Sequence, residues 1–576
     1  MFYSQSNRND LPWLHGSDVI VRQIEAFGIR HLFTLTGGHI SSLYDGARFT
    51  DLTLVDFRHE QAAVHAADAL ARLRRDVSVV ALTAGPGVTG GLTGVANALY
   101  AESPLVVLGG RNPFVTDGTG NLQEAPHLEL MRPVTKHCSA LYELWRIPDV
   151  IYNAFAAARA PRSGPAYIDV PVDLQLTRVS VEDAPPLRGS NWPSLPCPDP
   201  DIVRRVARTI GAATQPVILA GTGAYWARAE DALNAVALSA KIPIYLNGMA
   251  RGMLGRNHPY QVFGSRKEAL RGADVIVLLG VEFDFRLGFG QAGAVHRDAV
   301  VIQVDADSAR IGRNRGATIG VVADINQFLR CLMVEDSTFG RQEPLTWTST
   351  LRQKDKVRLE RTRGSVTLSG NPVHPRQFVH AVTEFLDDDA TVIGDGGDIV
   401  GLFAGAFKPG GPGRWMDPGP FGCLGIGVPF AMGARLHRPS SQIAIVFGDG
   451  SFGFNGFEYE SAARQRLPFV GIIGNDGAWG EMRTFHEDLF GSADLRGQYL
   501  SQSTSYEKVV EGLGGHGERV EDAADIIPAL DRAYKSGVPS AVNVILDPTF
   551  RRDNGTVSGK QVALTYGRGN RDAFKR

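Results

Sequence analysis

The chain has 576 residues, of which 66 are glycine and 43% are hydrophobic, and its formal net charge is −2. This length is too great for one hydrophobic core and predicts about three or four domains. The balanced charge gives no electrostatic basis for nucleic-acid binding, and no apolar stretch of the sequence is long enough to cross a bilayer.

The N-terminal residues and the cysteines predict a cytoplasmic location. Met1 to Asn7 lack the basic region and the long apolar run of a signal peptide. The four cysteines, Cys138, Cys197, Cys331 and Cys423, show no metal-binding spacing and are typical of a reducing compartment. We expect most of them to be buried structural thiols.

A first α/β domain is predicted over residues 1–185. Strand and helix patterns alternate between Val19 and Val172. Four apolar runs in this stretch are predicted to be buried strands: Phe33 to Thr36, Val77 to Thr83, Leu105 to Leu108 and Tyr167 to Val170. The turn-forming residues between Pro185 and Pro193 predict a linker after the domain.

A second α/β domain is predicted over residues 200–335. Its four predicted strands are Val217 to Ala220, Ile242 to Leu246, Val275 to Leu279 and Val300 to Val304. A charged connector from Leu351 to Arg363 is predicted to be helical and leads to the third domain.

A third α/β domain is predicted over residues 370–548, followed by a tail over residues 549–576. Apolar runs from Ile443 to Phe447 and from Phe469 to Ile473 are predicted to be strands. Between them, the spacing from Phe457 to Arg466 predicts a helix.

The most informative motif follows these two strands. The first leads into Gly448-Asp449-Gly450-Ser451 and the second into Asn475-Asp476-Gly477-Ala478-Trp479-Gly480. Ligands of open α/β sheets bind at the carboxyl ends of the strands. One strand–helix–strand unit would bring Asp449 and Asp476, which are 27 positions apart, to the same edge. Two carboxylates together with phosphate oxygens and water would suit Mg²⁺.

These two segments resemble the diphosphate-anchoring motif of thiamine-diphosphate enzymes, and the order of the three domains resembles the acetolactate-synthase-like branch of that family. The resemblance covers about Trp13 to Pro548. It implies an α/β fold of three consecutive parallel-sheet domains (pyrimidine-binding, central and diphosphate-binding) with a C-terminal tail. It also implies thiamine diphosphate and Mg²⁺ as cofactors.

By this resemblance, Asp449, Asp476 and the backbone carbonyl of Ala478 hold the metal. The family usually has Asn-Asn where this chain has Asn475-Asp476, so this chain adds a negative charge beside the diphosphate. The other expected cofactor contacts in this domain are Gly448, Gly450, Ser451, Trp479 and Gly480.

The first domain is expected to bind the pyrimidine half of the cofactor. In Phe57-Arg58-His59-Glu60-Gln61-Ala62-Ala63, the resemblance assigns Glu60 to N1′ of the aminopyrimidine, and we expect its carboxyl to be largely desolvated. The alternative for Glu60 is a helix-start residue that complements the helix dipole. Gly85, in Gly85-Pro86-Gly87, resembles the cofactor-side turn of the family.

The segment Gly422-Cys423-Leu424-Gly425-Ile426-Gly427 resembles the stretch beneath the cofactor. There Leu424 would be the apolar wedge that bends the cofactor, or it would be an ordinary core residue. The carbonyl of Gly422 would accept a hydrogen bond from the 4′-amino group.

Three side chains are candidates for contact with substrate. His39 and Gln123 resemble active-site positions of benzaldehyde-lyase-like enzymes, where they would pass protons and orient a hydroxyl. Glu481 lies 32 positions past Asp449, where a carboxylate would take the proton of a 2-hydroxyl group and start carbon–carbon cleavage. The alternatives for His39 and Glu481 are a turn histidine and a surface glutamate that opens a helix.

These residues favour carbon–carbon cleavage, and the resemblance to 2-hydroxyacyl-CoA lyases implies cleavage of a 2-hydroxyacyl-CoA to formyl-CoA and an aldehyde or ketone, or the reverse condensation. The tail would bind coenzyme A through arginine–phosphate contacts, or it would simply be solvated. Its basic residues are Arg551, Arg552, Lys560, Arg568, Arg571, Lys575 and Arg576. An acetolactate-synthase-like or benzaldehyde-lyase-like carboligase on free acids or aldehydes is the main alternative. An oxalyl-CoA-type decarboxylase and a non-catalytic cofactor sensor are less favoured.

The resemblance also bears on assembly and on the central domain. Glu60 and Asp449 of one active site would come from different subunits, which implies a homodimer at least and often a homotetramer. The central domain of the family holds FAD, ADP or nothing. Gly221-Thr222-Gly223 is a weak nucleotide signal, because any α/β turn can supply two glycines, and the three possibilities stay open. Further residues that could touch a nucleotide are Gly280, Asp305 and Asp324.

Overall fold

The computed structural model describes residues 12–363, 369–490 and 496–551. Two compact units are present. The first unit holds the described part of Met1–Pro193 together with Pro418–Ser440 and Phe454–Pro468. The second unit holds Ser194–Asp417, Ser441–Gly453 and the described part of Phe469–Arg576. Three consecutive parallel sheets, one in the first unit and two in the second, confirm the predicted fold class.

The sheet of the first unit has six parallel strands in the order β3-β2-β4-β5-β7-β6, and β1 pairs with β8 antiparallel beside it. The strands are β1 (Trp13–His15), β2 (His31–Thr34), β3 (Thr53–Asp56), β4 (Ser78–Leu82), β5 (Leu105–Arg111), β6 (His137–Ala140), β7 (Ala166–Pro171) and β8 (Arg178–Ser180). The helices among them are α1 (Gly16–Ala26), α2 (Ser41–Ala47), α3 (Glu60–Arg74), α4 (Pro86–Tyr100), α5 (His127–Met131), α6 (Ile147–Arg159) and α7 (Val172–Leu176).

The second sheet has five parallel strands in the order β10-β9-β11-β12-β13. Its strands are β9 (Pro216–Ala220), β10 (Ile244–Leu246), β11 (Val275–Leu279), β12 (Val300–Asp305) and β13 (Ile319–Val322). The helices of this region are α8 (Pro200–Ala212), α9 (Thr222–Trp226), α10 (Glu230–Ala240), α11 (Arg266–Gly272), α12 (Ile325–Val334), α13 (Asp336–Phe339) and α14 (Thr346–Arg363), the last of which includes the predicted helical connector.

The third sheet has six parallel strands in the order β15-β14-β16-β17-β19-β18. Its strands are β14 (Thr391–Asp395), β15 (Trp415–Met416), β16 (Ile443–Gly448), β17 (Val470–Asn475), β18 (His516–Val520) and β19 (Ser540–Ile545). The remaining helices are α15 (Pro375–Phe385), α16 (Asp398–Ala406), α17 (Gly427–His437), α18 (Asp449–Asn455), α19 (Glu458–Arg464), α20 (Gly480–Phe490), α21 (Tyr506–Gly512) and α22 (Ile526–Lys535).

Each sheet reverses its strand order beside the strand from which it starts in the chain. The reversal lies between β2 and β4 in the first sheet, between β9 and β11 in the second, and between β14 and β16 in the third. Helices that leave two neighbouring strands on opposite sides open a crevice at their carboxyl ends, which is where ligands of such sheets bind. The fold therefore provides three candidate crevices, and those of the first and third sheets carry the predicted site residues.

Each predicted strand lies on a strand of the structure, and most of the predicted bounds differ from the observed ones by one to three residues. The strand predicted at Phe33 to Thr36 is β2, which ends at Thr34 because its pairing with β3 stops where Thr34 faces Asp56. The strand predicted to start at Ile242 is β10, which starts at Ile244 because its ladder with β9 begins there. The central strands are buried on both faces, as continuous apolar runs in parallel sheets indicate.

The cysteines are less buried than expected. All four are free thiols: Cys423 is buried, Cys138 and Cys331 are half-buried, and Cys197 is exposed. Burial raises the pKa of Cys138 to about 11, which makes it a poor nucleophile. Within the described part of the chain, no helix combines the length and the apolar character that a membrane span requires.

Candidate active site

The crevice of the third sheet positions the predicted metal ligands. Asp449 follows the last residue of β16 and is the first residue of α18, and Asp476 follows the end of β17, the neighbouring strand. The carboxylate of Asp449, 3% exposed, accepts hydrogen bonds from the amides of Gly450 and Gly477, both at 2.9 Å. The bond from Gly477 joins the ends of the two strands, so the predicted pair lies at one sheet edge.

The two acids disfavour each other's ionisation. Burial raises the pKa of Asp449 to about 7, and the charge of Asp476 adds to this effect. Burial also raises the pKa of Asp476, although Arg483, whose Nη2 donates to Oδ2 at 3.1 Å, acts in the opposite direction. A divalent cation between the two carboxylates would remove this repulsion, so the donor set fits the metal that the sequence predicts.

Close backbone approach explains the glycines of this edge. A Cβ at Gly450 would lie 2.5 Å from the Trp479 ring, and a Cβ at Gly480 would lie 2.7 Å from Oδ2 of Asp476. Ala478 is buried, and Ser451 donates its hydroxyl to the carbonyls of Asp395 and Gly448. That hydroxyl therefore ties the end of β16 to the end of β14 across the crevice.

The described residues contain no group of three or more His, Cys, Asp or Glu side chains arranged for a metal. A cation held at Asp449 and Asp476 would therefore need backbone and non-protein oxygens as further ligands. The predicted carbonyl of Ala478 and a diphosphate supply oxygens of the kind that Mg²⁺ prefers. The arrangement thus fits thiamine diphosphate with a divalent cation.

Glu481 lies in the same crevice. It is the second residue of α20, and its side chain is half-buried. A Cβ at Gly397, just past the end of β14, would lie 2.5 Å from Oε2 of Glu481, so the carboxylate rests on the backbone of that turn. The structure therefore brings Glu481 to the sheet edge that carries Asp449 and Asp476.

In the first unit, Glu60 is the first residue of α3, and its side chain lies over the glycine-rich face of α4. A Cβ at Gly90 would lie 2.8 Å from Oε2 of Glu60, so this face has room for the carboxylate only because it lacks side chains. Glu60 is half-buried in the single chain, so one chain alone does not provide the desolvation that we expected for it.

A buried carboxylate supports Glu60 from behind, and the sequence analysis did not identify it. Glu458, 1% exposed, accepts from the amides of Arg58 and His59 at 3.0 Å and from the hydroxyl of Ser461 at 2.6 Å. Burial raises the pKa of Glu458 to about 7. This carboxylate holds the residues that precede Glu60 at the start of α3.

Surface ion pairs extend this support along α19. Arg58 pairs with Glu460 at 2.9 Å, and Arg464 pairs with Asp56 at 2.9 Å. Gln465 donates to the carbonyl of Asp56 at 2.7 Å. The turn from β3 to α3 is therefore fixed from both ends by residues 458–465.

His39 lies at the crevice of the first sheet, between the ends of β2 and β4. Its Nε2 hydrogen-bonds Asn112 Oδ1 at 2.9 Å, and its Nδ1 lies 3.5 Å from the hydroxyl of Thr83. A Cβ at Gly87 would touch the methyl group of Thr83, and the same Cβ would lie 3.6 Å from Oε1 of Glu60. His39 and Glu60 are thus on two sides of the same threonine.

Gly85 and Gln123 are in direct contact. Gly85 has φ 59° and Gln123 has φ 61°, and a Cβ at Gly85 would lie 2.7 Å from the carbonyl oxygen of Gln123. The amide of Gly85 donates to Nε2 of His127 at 2.9 Å. The His127 Nδ1 then carries the proton and donates to Asp169 at 3.2 Å.

Asp169 completes a buried network that the sequence analysis also missed. Its carboxylate, fully buried, accepts from the hydroxyl of Tyr167 at 2.6 Å and from Arg111 at 2.7 Å. Because His127 bonds the Gly85 amide on one side and Asp169 on the other, this network fixes the turn against which Gln123 rests.

Gly422 and Leu424 belong to the first unit, in the segment that precedes α17. Gly422 is exposed with φ 74°, and Leu424 is half-buried. The turn is held by Asn455, whose side-chain amide donates to the carbonyl of Gly425 at 2.6 Å. The partial exposure of Leu424 distinguishes it from the fully buried core residues around it.

The nucleotide signals of the second sheet have packing and capping roles. A Cβ at Gly223 would lie 2.8 Å from Cα of Gly280, and a Cβ at Gly221 would lie 2.8 Å from the Gly280 carbonyl. Asp324 caps α12 by accepting from the amide of Gln327 at 2.9 Å. Asp305 lies at the end of β12, 4.0 Å from Arg310. These contacts account for the two glycines and for Asp324 without reference to a nucleotide.

The tail lies almost entirely outside the described residues. Of its basic residues, only Arg551 is described, and its guanidinium pairs with both carboxylate oxygens of Glu487, at 2.7 and 2.9 Å. The basic residues outside the described part are Arg552, Lys560, Arg568, Arg571, Lys575 and Arg576.

Sequence models of the thiamine pyrophosphate enzymes match all three regions of the chain. The N-terminal binding domain matches residues 14–130, the central domain residues 203–332 and the C-terminal binding domain residues 395–544. The probable acetolactate synthase of Mycobacterium bovis is 37% identical, over 94% of this chain and 98% of that protein. The 2-hydroxyacyl-CoA lyase 2 of Danio rerio is 33% identical over 94% and 93%, and that of Homo sapiens is 32% identical over 96% and 93%.

Proposed function

Because this chain belongs to the thiamine-diphosphate enzymes related to acetolactate synthase and 2-hydroxyacyl-CoA lyase, we propose that it is a carbon–carbon lyase. Its substrate would be a 2-hydroxyacyl-CoA, and its products formyl-CoA and an aldehyde or ketone. When bound, thiamine diphosphate supplies the carbon nucleophile for attack on a carbonyl group. The protein residues then bind the substrate, orient it and move protons.

The position of Glu481 is the observation that carries this proposal. An ionisable carboxylate at the same sheet edge as Asp449 and Asp476 can accept the proton of a substrate hydroxyl. Removal of that proton is the step that cleavage next to a 2-hydroxyl group requires, whereas simple decarboxylation does not need it. The lyases of Danio rerio and Homo sapiens, which are related along most of the chain, support the same choice.

The remaining roles follow the same assignment. Asp449, Asp476 and the carbonyl of Ala478 would hold Mg²⁺, and Glu60 would hold N1′ of the aminopyrimidine. His39 and Gln123 would orient the substrate from the first unit. The site would combine Glu60 of one subunit with Asp449 of another, so the enzyme would be a homodimer at least and a homotetramer as the favoured form.

Coenzyme A would be recognised by the basic tail beyond the described residues. Arg551 is a weaker candidate for a phosphate contact than the sequence suggests, because its Nε and Nη2 already donate to the carboxylate of Glu487. The tail residues from Arg552 onwards would therefore supply the contacts. Removal of residues 552–576 should raise the apparent KM for a CoA thioester, and an unchanged KM would reject this role.

Acetolactate synthesis is the second candidate. The observation in its favour is the probable acetolactate synthase of Mycobacterium bovis, whose identity to this chain, 37%, exceeds that of the lyases. In this case pyruvate would be the substrate, and FAD in the second sheet's crevice would be an expected companion. A yellow colour of the purified protein, with the absorption spectrum of a flavin, would favour this function.

The deciding experiment is an activity panel on the full chain with Mg²⁺ and thiamine diphosphate. The substrates are a series of 2-hydroxyacyl-CoA thioesters, pyruvate, oxalyl-CoA and benzoin, and products are identified by mass spectrometry. Formyl-CoA from a 2-hydroxyacyl-CoA is the expected result. Acetolactate from pyruvate, or benzaldehyde from benzoin, without any formyl-CoA would reject the lyase and leave the family assignment in place. Formyl-CoA from oxalyl-CoA alone would indicate a decarboxylase.

A further inference from the structure

Arg483 is a buried cation that the proposed reaction does not use. Its side chain is 6% exposed, and its Nη2 donates to Asp476 Oδ2 at 3.1 Å and to the carbonyl of Phe550 at 3.4 Å. Its Nε is buried and has no hydrogen-bond partner among the described residues. A buried charge with an incomplete set of partners is unfavourable for folding, so the arginine needs another reason to be there.

The position of Arg483 in its helix is also unfavourable. Arg483 is the fourth residue of α20, at the end where the helix dipole favours anions and disfavours cations. Desolvation and the helix dipole both disfavour an arginine at position 483. The contact with the carboxylate of Asp476 is the interaction that favours it.

A count of charges shows what this contact can do. Asp449 and Asp476, when ionised, carry two negative charges, which cancel the charge of one divalent cation. A diphosphate bound to that cation would then meet a metal site without net positive charge, and its own negative charge would be uncompensated. Arg483 adds one positive charge directly beside Asp476.

The other charged groups near Asp476 do not change this conclusion. The charge of Asp398 acts on Asp476 in the direction opposite to that of Arg483. Arg551 also interacts with Asp476, but its Nε and Nη2 already pair with the two carboxylate oxygens of Glu487. Arg483 is therefore the described cation that makes a hydrogen bond to the second acid of the site.

We propose that Arg483 is a positioning residue that compensates the second carboxylate of the metal site, so that Asp476 can bind the cation while the site still accepts a diphosphate. The pair Asp476–Arg483 then has the net charge of a neutral amide at position 476. This inference depends on Asp449 and Asp476 as the metal ligands, and it does not depend on which substrate the enzyme cleaves.

A double-mutant cycle on the full-length protein tests the proposal. The variants are Asp476→Asn, Arg483→Gln and the double variant. Isothermal titration calorimetry measures the affinity for thiamine diphosphate at saturating Mg²⁺ and the affinity for Mg²⁺ at saturating thiamine diphosphate. Neither measurement requires turnover, so a failure of the proposed lyase activity would leave this cycle interpretable.

The two single variants should shift the affinities in opposite directions. Arg483→Gln should weaken thiamine-diphosphate binding about tenfold or more and strengthen Mg²⁺ binding, because the site gains a net negative charge. Asp476→Asn should weaken Mg²⁺ binding by about the same factor, because the arginine is left unpaired beside the cation. The double variant should return to within about threefold of the wild type in both affinities.

Matched variants separate this effect from general damage. Glu518→Gln removes one negative charge, as Asp476→Asn does, and Arg532→Gln removes one positive charge, as Arg483→Gln does, both at the surface pair Arg532–Glu518. Both should leave the two affinities within about threefold of the wild type, since exposed pairs are screened. Arg483→Lys, which keeps the charge, should also stay within about threefold.

Three outcomes would overturn the proposal. The first is additive effects in the double variant, because compensation requires coupling. The second is a loss of both affinities in Arg483→Gln, which would indicate damage to the structure. The third is an equal loss in Arg483→Lys and Arg483→Gln, because packing of the guanidinium would then matter and its charge would not.

Discussion

The crevices of the first and third sheets place their buried charges differently. In the first, Glu60 is half-buried, and the fully buried carboxylates, Glu458 and Asp169, lie behind the site and are bonded to amides, hydroxyls or cations. In the third, Asp449 is both a candidate ligand and a buried acid, with Asp476 beside it. In the first crevice, the buried carboxylates support the site from outside it. In the third crevice, a buried carboxylate is itself a candidate metal ligand.

This difference predicts opposite effects on stability. Glu458 accepts hydrogen bonds from two amides and a hydroxyl, so at a pH below its raised pKa its loss should destabilise the protein. A buried carboxylate beside a like charge opposes folding until a cation arrives, which is the form of strain that binding sites commonly store. Substitutions at the third crevice should therefore weaken cofactor binding without harm to the ligand-free fold. Substitutions behind the first crevice should destabilise the ligand-free fold.

The largest expected effect belongs to Asp449→Asn. We expect Mg²⁺–thiamine-diphosphate affinity to fall by more than about 100-fold, because loss of an outer-shell partner alone costs ~10–100-fold. The ligand-free protein should become more stable at pH 8 by about 1 kcal/mol. The folded pKa of Asp449, about 7, lies above its unfolded value. The contribution of Asp449 to stability is therefore full below the unfolded pKa and is lost as the pH rises through 7.

Calorimetric titration and urea unfolding of the ligand-free protein measure these two quantities. A ligand-free Asp449→Asn protein that is less stable than the wild type at pH 8 would break the comparison between the two crevices.

Glu481→Gln tests whether the third crevice contributes chemistry as well as binding. We expect turnover to fall by about 100-fold, since general-base groups contribute about 10²–10⁴-fold, while cofactor affinity changes little. Turnover and calorimetric affinity are measured on the same preparation. Glu518→Gln, at a solvent-exposed ion pair, is the matched control. Near-normal turnover of Glu481→Gln would remove the base role from this residue.

His127 tests the support of the first crevice. His127→Leu removes the acceptor for the buried Gly85 amide, and we expect kcat to fall about tenfold together with a loss of about 2 kcal/mol of stability. His127→Gln can still accept from Gly85 through its side-chain oxygen, so it should recover most of kcat. Steady-state kinetics separate kcat from KM. Equal losses of kcat in both variants, in step with stability, would show a purely structural role.

Glu458 gives the smallest effect and a pH signature. Its folded pKa is raised to about 7, so its stabilising contribution is full below its unfolded value and is lost as the pH rises through 7. The ligand-free wild type should therefore lose about 2 kcal/mol relative to Glu458→Gln between pH 5 and pH 8. A glutamine keeps one acceptor for the amides of Arg58 and His59. Urea unfolding at the two pH values measures the difference.

Glu460 on the same helix provides a control of opposite sign. A hydrogen bond from Arg464 lowers the pKa of Glu460, so its stabilising contribution is present above the unfolded value and is lost on acidification. Glu460→Gln should therefore show no change in its difference from the wild type between pH 5 and pH 8. The same slope in both variants would refute the assignment to Glu458.

Local patterns were sufficient for the third crevice. The apolar runs before Asp449 and Asp476 predict neighbouring strands, and parallel strands end at one edge, so their proximity follows from spacing alone. Glu481 follows within a few residues of Asp476 and is brought to the same edge by the same turn. Whether these residues act as assigned remains a prediction.

The supporting residues could not be predicted in this way. Glu458 bonds the amide of Arg58 across 400 positions, and His127 meets Asp169 across 42. Only Arg483 left a local signal, because a cation near the start of a predicted helix is unfavourable and asks for a partner. That signal indicates a missing anion but does not say that the anion is Asp476.

The sequence by itself determined the three parallel sheets, the order of the domains, the family and the spacing of Asp449 and Asp476. These properties depend on strand and helix periodicity and on short motifs, which are local along the chain. The tertiary structure alone decided which groups meet the buried charges: Asp476 meets Arg483, Glu458 meets the amides of Arg58 and His59, and Asp169 meets His127. The energy of a buried charge depends on neighbours from distant segments, and only the packed chain brings those neighbours together.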